Sequence, residues 1–371
     1  MRPQWGNVVP LRSFGDPSER KRNVRPLRIG LLVPFQGADA IWGPSCQYSA
    51  VLAAAEINSS GGILGRQIEL LAADAGGRPD DVVVRARDLI MNHNAEVLLG
   101  VHLSSVRVSL ENAFDGSIPY IFSPLYEGGA VGENVYAIGE VPDRQFSGPV
   151  KWLTQQRGCR RWYLLGNDYV WPRTTHDWMR EYLVRHGAEV VGERYVDIGE
   201  TDIQPIVENM VASDADIVFQ SLVGSECIPF NRQFVEAGLS TSVVRFSGAL
   251  EENTLMALGD GYTQNLYCAA GYFSMLETPE NAAFLRRYRR AFGANAPVQS
   301  VLSESCYEGM HFLAALGARA GSLDSRALRA AMEGVTFNTA RGTTTIRDGH
   351  AVGPTYLARA DGVRFEPIVA F

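Results

Sequence analysis

The sequence predicts an α/β fold made of two doubly wound parallel-sheet lobes joined by a multi-strand hinge. The chain has 371 residues, and single hydrophobic cores rarely grow beyond about 250–300 residues. Short aliphatic runs alternate with helix-like segments from Leu27, and the alternation restarts near Asp143. A third stretch, from about residue 271, breaks this alternation and supplies the connections between the lobes.

The first unit begins with LRIGLLVPF (27–35), an aliphatic run typical of a buried parallel strand. The Ala-rich segment 49–65 is a predicted helix that ends at the pair Gly61-Gly62. The remaining predicted strands are RQIELLAAD, AEVLLGVHLS and PYIFSPLY, and the remaining helices are DDVVVRARDLIMNH and SVRVSLENAF. This βαβαβαβ order indicates a parallel sheet with helices on both faces.

The second unit repeats this order with weak residue identity to the first. Its predicted helices are FSGPVKWLTQQRG, THDWMREYLVRHG, IQPIVENMVAS and PFNRQFVEAG, and its predicted strands are RRWYLLGND, AEVVGERYV, ADIVFQSLVGS and SVVRFSG. The two units therefore predict two lobes of similar architecture.

The third stretch runs from the strand NLYCAAGYFSML through three helices to short C-terminal strands. We expect its helices to pack on the first lobe and its last strands to return to the second. The predicted division is a disordered leader (1–26), a first lobe (27–142 plus 271–340) and a second lobe (143–270 plus 341–371). Several crossings between lobes suit a hinge.

Charge and hydropathy limit the partners. The net charge of −7 argues against nucleic acid as a direct partner, and no apolar stretch approaches the ~20 residues of a membrane span. Pro10 and Arg12 interrupt the apolar residues Val8, Val9 and Leu11, so the leader lacks the core of a secretory signal. The sequence as given predicts a cytoplasmic protein, and a misassigned start would make it periplasmic.

Motifs for catalysis, cofactors and metals are not found. The five cysteines are scattered without a CxxC pair, which predicts reduced, buried thiols. GGILG (61–65) leaves a helix and enters a strand, the reverse of the dinucleotide-binding order. His176 and Asp177 are interpreted as helix-start residues. We therefore predict no cofactor, no metal and no enzymatic activity; a Ser/His/Asp arrangement assembled only in three dimensions is the alternative.

Polar or aromatic residues follow the predicted strands, and the carboxyl ends of parallel strands share the edge where ligands bind. The candidate ligand-binding residues are His102, Ser104, Ser105, Phe122, Ser123, Pro124, Leu125, Tyr169, Trp171, Val223, Gly224, Ser247 and Glu251. Two facing lobes would enclose a cleft of rings, hydroxyls and backbone amides, which suits a small, uncharged, hydrogen-bonding ligand.

The turn in LLGNDYVWPRTTHDWM (164–179) has a single glycine and two large aromatics, Tyr169 and Trp171, so it does not resemble a phosphate-binding loop. Tyr169 and Trp171 could instead pack in the core. Ser104 and Ser105 could instead cap the helix that follows them. Glu251 and Glu252 have a solvated helix start as the alternative, and which of the two faces the cleft stays open.

Several segments resemble the type I periplasmic binding proteins of the branched-chain amino acid and amide group. These are IGLLVPFQG with LAAAEINSSGGILGRQIELLAAD, LLGNDYVWPRT with REYLVRHGAEVVGERYV, GYFSMLETPENAAF and SCYEGMHFLAALGARA. The resemblance covers about residues 27 to 340. It is closest to the urea- and short-chain-amide-binding branch, which includes a cytoplasmic amide sensor that regulates amidase expression.

The resemblance implies a pocket built from Ser104, residues 122–125, Tyr169, Trp171 and the Val223-Gly224 turn. Amino-acid binders of this group hold the ligand carboxylate with a hydroxyl residue just after a Ser-Pro pair. In this chain Glu127 follows that pair closely and would repel a carboxylate. The amide sensor carries an aromatic where this chain has His102, and a threonine where it has Pro124.

The predicted function is a non-catalytic receptor that closes over a short-chain amide or urea, as a cytoplasmic sensor of amidase-type gene expression with a regulatory protein as partner. The alternative is a substrate-binding protein that delivers urea, amides or branched-chain amino acids to an ABC permease. The sequence leaves the ligand, the partner and the oligomeric state open, including a homo-oligomer.

Overall fold

The fold consists of two sheet-based lobes and a small third sheet. A computed structural model describes residues 24–200 and 203–371, together with the backbone of the strand at residues 9–11. Numbered in chain order, the strands are β1 (Val9–Leu11), β2 (Leu27–Val33), β3 (Ile68–Asp74), β4 (Val97–Gly100), β5 (Tyr120–Phe122), β6 (Val135–Ala137), β7 (Arg161–Asn167), β8 (Glu189–Val196), β9 (Ile217–Ser221), β10 (Val244–Ser247), β11 (Leu266–Ala270), β12 (Thr336–Thr339), β13 (Gly342–Arg347), β14 (His350–Val352), β15 (Tyr356–Asp361) and β16 (Arg364–Ala370).

Helices cover both large sheets. They are α1 (Gly43–Ser59), α2 (Pro79–Met91), α3 (Ser104–Phe114), α4 (Pro142–Gln156), α5 (Val170–Arg185), α6 (Gln204–Ala212), α7 (Cys227–Glu236), α8 (Glu252–Leu258), α9 (Pro279–Phe292), α10 (Val301–Ala320) and α11 (Ser325–Ala331). Two short 3-10 helices, Ala38–Trp42 and Gly224–Glu226, matter for the site.

The first sheet has the order β1-β3-β2-β4-β5-β6, and its strands from β2 to β6 pair in parallel. Six of the seven residues of β2 are buried, because helices cover both of its faces. Helices α1 and α10 pack together on one side, and α2 and α3 pack together on the other. The carboxyl ends of β2, β4 and β5 therefore lie along one edge of the lobe.

The second sheet has the order β16-β15-β11-β10-β9-β7-β8. The strands β7 to β11 pair in parallel, whereas β15 and β16 are antiparallel additions at one side. The predicted class, two parallel-sheet lobes of α/β architecture, is confirmed.

The chain passes between the lobes three times in the described residues, at 138–141, 271–278 and 353–355. The third passage differs from the predicted boundary at residue 340. β13 pairs with β12 and β14 pairs with β13 in a separate three-stranded sheet, because tight turns fold each strand back on the one before it. Phe337 of β12 packs on Phe312 of α10, which ties this sheet to the first lobe.

The leader also differs from the prediction of a disordered arm. β1 pairs antiparallel with β3 at the edge of the first sheet, where Pro10 lies opposite Leu71. An edge strand tolerates proline because one of its sides makes no ladder hydrogen bonds. Residues 1–8 and 12–23 of the predicted arm lie outside the described residues.

Two local predictions from the sequence agree with the structure. Helix α1 ends at Ser59, and Gly61 and Gly62 follow with φ of 103° and 77°, as a glycine C-cap requires. All five cysteines are free and buried, as predicted.

Candidate functional site

A narrow cavity of about 20 Å³ lies where the carboxyl-end turns of the two large sheets face each other. Its lining residues are Trp42, His102, Leu103, Ser104, Pro124, Leu125 and Leu302 from the first lobe and Tyr169, Trp171, Val223 and Ala249 from the second. Seven of the thirteen predicted residues are in this set. The other six occupy different places.

His102 lines the cavity with a neutral ring. Its Nδ1 lies 3.1 Å from the carbonyl oxygen of Leu103, so this nitrogen carries the proton, and its Nε2 accepts from the Tyr120 hydroxyl at 2.9 Å. Burial lowers the pKa of His102 to about 4. Both ring nitrogens are engaged within the first lobe, so His102 holds the Leu103 turn and offers the cavity mainly its ring face.

Ser104 and Ser105 are the first two residues of α3, and neither is the cap. The N-cap is Leu103, whose side chain cannot accept a hydrogen bond, and its carbonyl accepts from the backbone of Val106 and Arg107. The capping interpretation of the two serines is therefore wrong. Ser104 is buried against the cavity, whereas Ser105 does not line it. The N-terminus of α3 directs its partial positive charge toward this side.

Phe122 and Ser123 lie behind the cavity wall, whereas Pro124 and Leu125 line it. The Phe122 ring packs at 5.3 Å from the His102 ring, and both Phe122 and Ser123 are fully buried. Ser123 Oγ has no hydrogen-bond partner and faces Gly309 of α10, where an added Cβ would lie 3.0 Å away. A larger residue at position 309 would therefore press on Ser123 behind the cavity wall.

Glu127 does not present the bare negative charge that the sequence predicts. Its carboxylate pairs with Arg107, which also pairs with Glu111, and all three side chains are largely buried. The Arg107 guanidinium compensates the Glu127 charge within the protein. Repulsion by Glu127 is therefore a weak argument against a carboxylate ligand.

Tyr169 and Trp171 form the wall of the second lobe. Tyr169 is the N-cap of α5 and Trp171 lies in its first turn, with ring centroids 6.4 Å apart. Asn167 Oδ1 accepts from the Val223 backbone at 3.0 Å and so ties the β7 turn to the β9 turn. Trp171 is 1 % exposed, and its Nε1–H has no acceptor. The two rings contribute to both the cavity and the core. Cavity lining and core packing, the two roles considered from the sequence, therefore both apply.

Gly224 makes the contact between the lobes and does not line the cavity. Its φ is +52°, and an added Cβ would lie 2.1 Å from the carbonyl oxygen of Ala38. The 3-10 helix Ala38–Trp42 of the first lobe thus touches the 3-10 helix Gly224–Glu226 of the second. The structure is a closed form.

Ser247 and Glu251 organise the turn after β10. Ser247 Oγ accepts from the backbone of Ala249 and Leu250, and Glu251 caps α8 by accepting from the backbone of Asn253 and Thr254. Neither lines the cavity in this closed form. Short local hydrogen bonds satisfy both side chains at once, and a buried cap replaces the solvated one expected. Glu252 also turns away from the cavity, accepting from Ser274 N at 2.7 Å.

Glu251→Ala is expected to lower the free energy of unfolding by about 1–2 kcal/mol, the usual contribution of an N-cap, and to leave ligand affinity within about twofold of the parent. Thermal unfolding and calorimetric titration would measure the two quantities. Asp324→Ala removes the equivalent cap of α11, which is remote from the cavity, and serves as the matched control. A selective loss of affinity in Glu251→Ala would return Glu251 to the ligand site.

Four lining residues were missed: Trp42, Leu103, Ala249 and Leu302. Trp42 lies in the segment after β2 and carries the same signal as Tyr169, an aromatic after a strand's carboxyl end. Its Nε1–H is buried without an acceptor. Leu302 lies in the first turn of α10, and nothing local in the sequence places it beside strands that precede it by about 200 residues.

A Ser-His-Glu trio does assemble in three dimensions, in the second lobe. His176 Nε2 lies 2.8 Å from Ser221 Oγ, and its Nδ1 lies 3.2 Å from Glu193 Oε1. His176 is therefore not a capping residue: it lies within α5 and fixes this helix on the sheet. Ser221 and His176 are both fully buried, with Gly166 packed on the serine, so no substrate reaches this hydroxyl.

Among residues 24–200 and 203–371, no group of three or more His, Cys, Asp or Glu side chains is arranged to hold a metal ion. In the same part of the chain, the helices are too short or too polar to cross a bilayer.

Two parallel-sheet lobes that close on a cavity at their strand ends define a two-lobed ligand-binding protein. The chain belongs to the periplasmic binding protein family, whose model matches residues 26–364. The family consists of substrate-binding proteins, which are not enzymes. The resemblance seen in the sequence is thereby confirmed for the family.

Individual relatives are distant. An amino acid binding protein of Pseudomonas aeruginosa is 25% identical over 266 residues, covering 70% of this chain and 71% of the relative. A Leu/Ile/Val-binding protein homolog of Brucella melitensis is 21% identical over 337 residues, with coverage of 89% and 90%.

Solved structures share the fold. A solute binding protein of an ABC transporter from R. palustris, in complex with 4-hydroxybenzoate, superposes with a TM-score of 0.81 at 18% identity and covers 93% of this chain and 97% of its own. The branched-chain amino acid transporter substrate binding protein LivJ from Streptococcus pneumoniae, in complex with isoleucine, gives 0.81 at 19% identity, with coverage of 93% and 99%.

Proposed function

We propose that this protein is the substrate-binding receptor of an ABC transporter and closes its lobes over a small molecule with a planar amide or carboxylate group and an apolar body. The observation that carries the proposal is the lining of the cavity. It combines rings and aliphatic side chains with N–H donors, and it contains no Asp, Glu, Lys or Arg. His102 is neutral, as its lowered pKa of about 4 requires.

The polar groups at the cavity are mainly donors. The buried indole N–H groups of Trp42 and Trp171 have no acceptor, and the N-terminus of α3 adds backbone amides. Donors of this kind match carbonyl or carboxylate oxygens, and the positive helix end favours negative charge. Arg107 neutralises Glu127, so carboxylates belong in the ligand class beside the amides that the sequence favours.

A free α-amino acid fits less well. Its ammonium group requires a carboxylate or several carbonyl oxygens when it is buried, and the lining side chains provide no carboxylate. The relatives named for amino acids and the neighbour bound to 4-hydroxybenzoate therefore suggest different ligands for this cavity. The uncharged lining favours the amide or aromatic carboxylate.

A ligand panel tests the proposal. Calorimetric titration of the purified chain with butyramide, benzamide, benzoate, 4-hydroxybenzoate, urea, leucine and isoleucine is expected to detect binding of an amide or carboxylate without an ammonium group. Benzamide and benzoate have nearly the same shape, so comparing their affinities separates recognition of an amide from recognition of a carboxylate. Tighter binding of leucine or isoleucine than of every other compound would overturn the ligand class. Ammonia release from an amide would overturn the non-catalytic role.

The second candidate role is the amide sensor, favoured by the same uncharged lining. A transport receptor is expected in the periplasm and a sensor in the cytoplasm. Immunodetection in separated periplasmic and cytoplasmic fractions of the source cells distinguishes them, and a cytoplasmic location would favour the sensor and a regulatory protein partner.

Trp171→Phe is expected to weaken binding of the best ligand about tenfold, because it removes the indole donor and retains an aromatic ring. Calorimetry measures the affinity, and thermal unfolding checks that the lobe is intact. Trp162→Phe is the matched control: Trp162 is also buried in the second lobe, outside the cavity, and donates to the carbonyl of Cys159. Equal affinity in Trp171→Phe and the parent would assign Trp171 to the core alone.

A further inference from the structure

All three passages between the lobes meet one side chain, that of Arg341. This residue lies in the turn between β12 and β13, and its side chain is 5 % exposed. Its Nη1 lies 2.8 Å from Glu140 Oε1, and Glu140 belongs to the first passage, at 138–141. The same nitrogen donates to Glu308 of α10 at 3.2 Å.

The second and third passages touch the guanidinium through glycines. A Cβ added to Gly271 would lie 2.4 Å from Nη2 of Arg341 and 1.9 Å from Glu140 Oε1. A Cβ added to Gly353 would lie 3.1 Å from the same Nη2. The backbones of both glycines therefore pack directly on the ion pair. At position 271 only glycine allows so close an approach.

The charges around Arg341 are unbalanced. Glu140, Glu304 and Glu308 are all buried beside this single cation. Burial, together with the neighbouring carboxylates, raises the pKa values of Glu304 and Glu308. Burial opposes the charge of Arg341, but the three carboxylates outweigh it and raise the pKa of the guanidinium. The cation thus holds together carboxylates that would otherwise repel one another in a medium of low polarity.

We propose that Arg341 is the positioning residue of the hinge: its pairing with Glu140 and Glu308 sets the angle between the lobes and stabilises the closed form. Opening the lobes rotates the connecting segments about their ends. Of the Arg341–Glu140 pair, Glu140 is the residue that lies in such a segment. A change of lobe angle must therefore stretch the Arg341–Glu140 pair, whereas Glu308 stays with α10 on the first lobe. The inference rests on the proposed function only in that lobe closure is what encloses a ligand.

The test measures lobe separation directly and requires no ligand. Spin labels at Val84→Cys on α2 and Val184→Cys on α5 report the distance between lobes by pulsed electron resonance; both positions are exposed and all five native cysteines are buried. Glu140→Gln keeps the shape of the side chain and removes its charge. We expect it to lower the ratio of closed to open populations about tenfold, because the amide no longer carries the negative charge that attracts Arg341.

Arg341→Lys keeps the charge but removes the planar guanidinium that packs against Gly271 and Gly353, and it is expected to shift the populations in the same direction. Glu96→Gln is the control, because Glu96 pairs with Arg66 inside the first lobe. If Glu140→Gln does not fold, Gly353→Ala perturbs the same contact with one methyl group. Parent-like distances in the folded hinge variants, or an equal shift in Glu96→Gln, would overturn the proposal. A failed ligand panel with shifted distances would overturn only the ligand class.

Discussion

Gly224→Ala is expected to weaken ligand binding roughly 100-fold while leaving the fold intact. The added methyl group would lie 2.1 Å from the carbonyl oxygen of Ala38 and 3.1 Å from the Cα of Asp39, both backbone atoms of the opposite lobe. Backbone cannot rotate away as a side chain can, so the closed form must widen, and overpacking of this kind costs about 1–3 kcal/mol. The contact exists only when the lobes are closed, so the open form carries only the cost of alanine at a φ of +52°.

Gly238→Ala separates this effect from simple backbone strain. Gly238 lies in the same lobe with φ of +76°, and nothing approaches its added Cβ within 4 Å. Both variants therefore carry the cost of alanine in a left-handed conformation, and only Gly224→Ala meets the other lobe. Calorimetry with the best ligand measures the affinity of each variant, and the spin-label distance between the lobes measures its closure. Equal affinity in the two variants would contradict a closure role for Gly224.

The alternation of aliphatic runs and helices was sufficient to predict the sheets, because buried parallel strands need continuous apolar sequence and their helices do not. It also located the edge at which the site lies, since carboxyl ends of parallel strands share one side. Tyr169, Trp171 and Val223 were predicted in this way and line the cavity, and Trp42, in the segment after β2, carries the same signal.

Knowing the edge of the sheet at which a residue lies does not predict the direction in which its side chain points after the strand ends. Ser247 ends β10 and Glu251 follows it as Tyr169 follows β7, but local backbone amides donate to the side-chain oxygens of both. Gly224 is at the right turn and contacts the other lobe, a relation that exists only once both lobes are folded and closed. The Arg341 cluster joins residues 140, 308 and 341, and no periodicity in the sequence links positions so far apart.

Ligand affinity is expected to rise about 30-fold when the pH falls from 8.5 to 5.5, because closure buries Asp39. This carboxyl lies between the lobes at 3 % exposure, its Oδ2 has no hydrogen-bond partner, and it forms no ion pair with any residue in the described part of the chain. Burial, with a smaller contribution from Asp74, raises the pKa of Asp39 to about 7. The ionisable groups around it are Asp74 from β3, Cys46 from α1 and Tyr169 from the second lobe, and none is a cation.

We expect opening of the lobes to expose Asp39, because the 3-10 helix Gly224–Glu226 of the second lobe packs on its segment, and the pKa of Asp39 is then expected near the ordinary value of about 3.9. The closed form therefore binds a proton more tightly, and its advantage is complete below about pH 4 and lost as the pH rises through about 7. Between these limits affinity changes about tenfold per pH unit, and above pH 7.5 it is constant. His102, with a pKa of about 4, stays neutral above pH 5.5 and adds nothing to this slope.

Asp39→Asn is expected to remove the pH dependence and to bind at pH 8.5 as tightly as the parent binds near pH 5.5, since an amide in this place has no charge to bury. An uncharged amide ligand keeps the titration of the ligand out of the measurement. Asp80→Asn, on the exposed start of α2, changes the net charge equally and should retain the full slope. A parent protein with constant affinity from pH 5.5 to 8.5 would mean that the closed form supplies Asp39 with a compensating donor. A slope that survives in Asp39→Asn would assign the pH dependence to another group, with the Glu304 and Glu308 carboxyls at the hinge as the next to substitute.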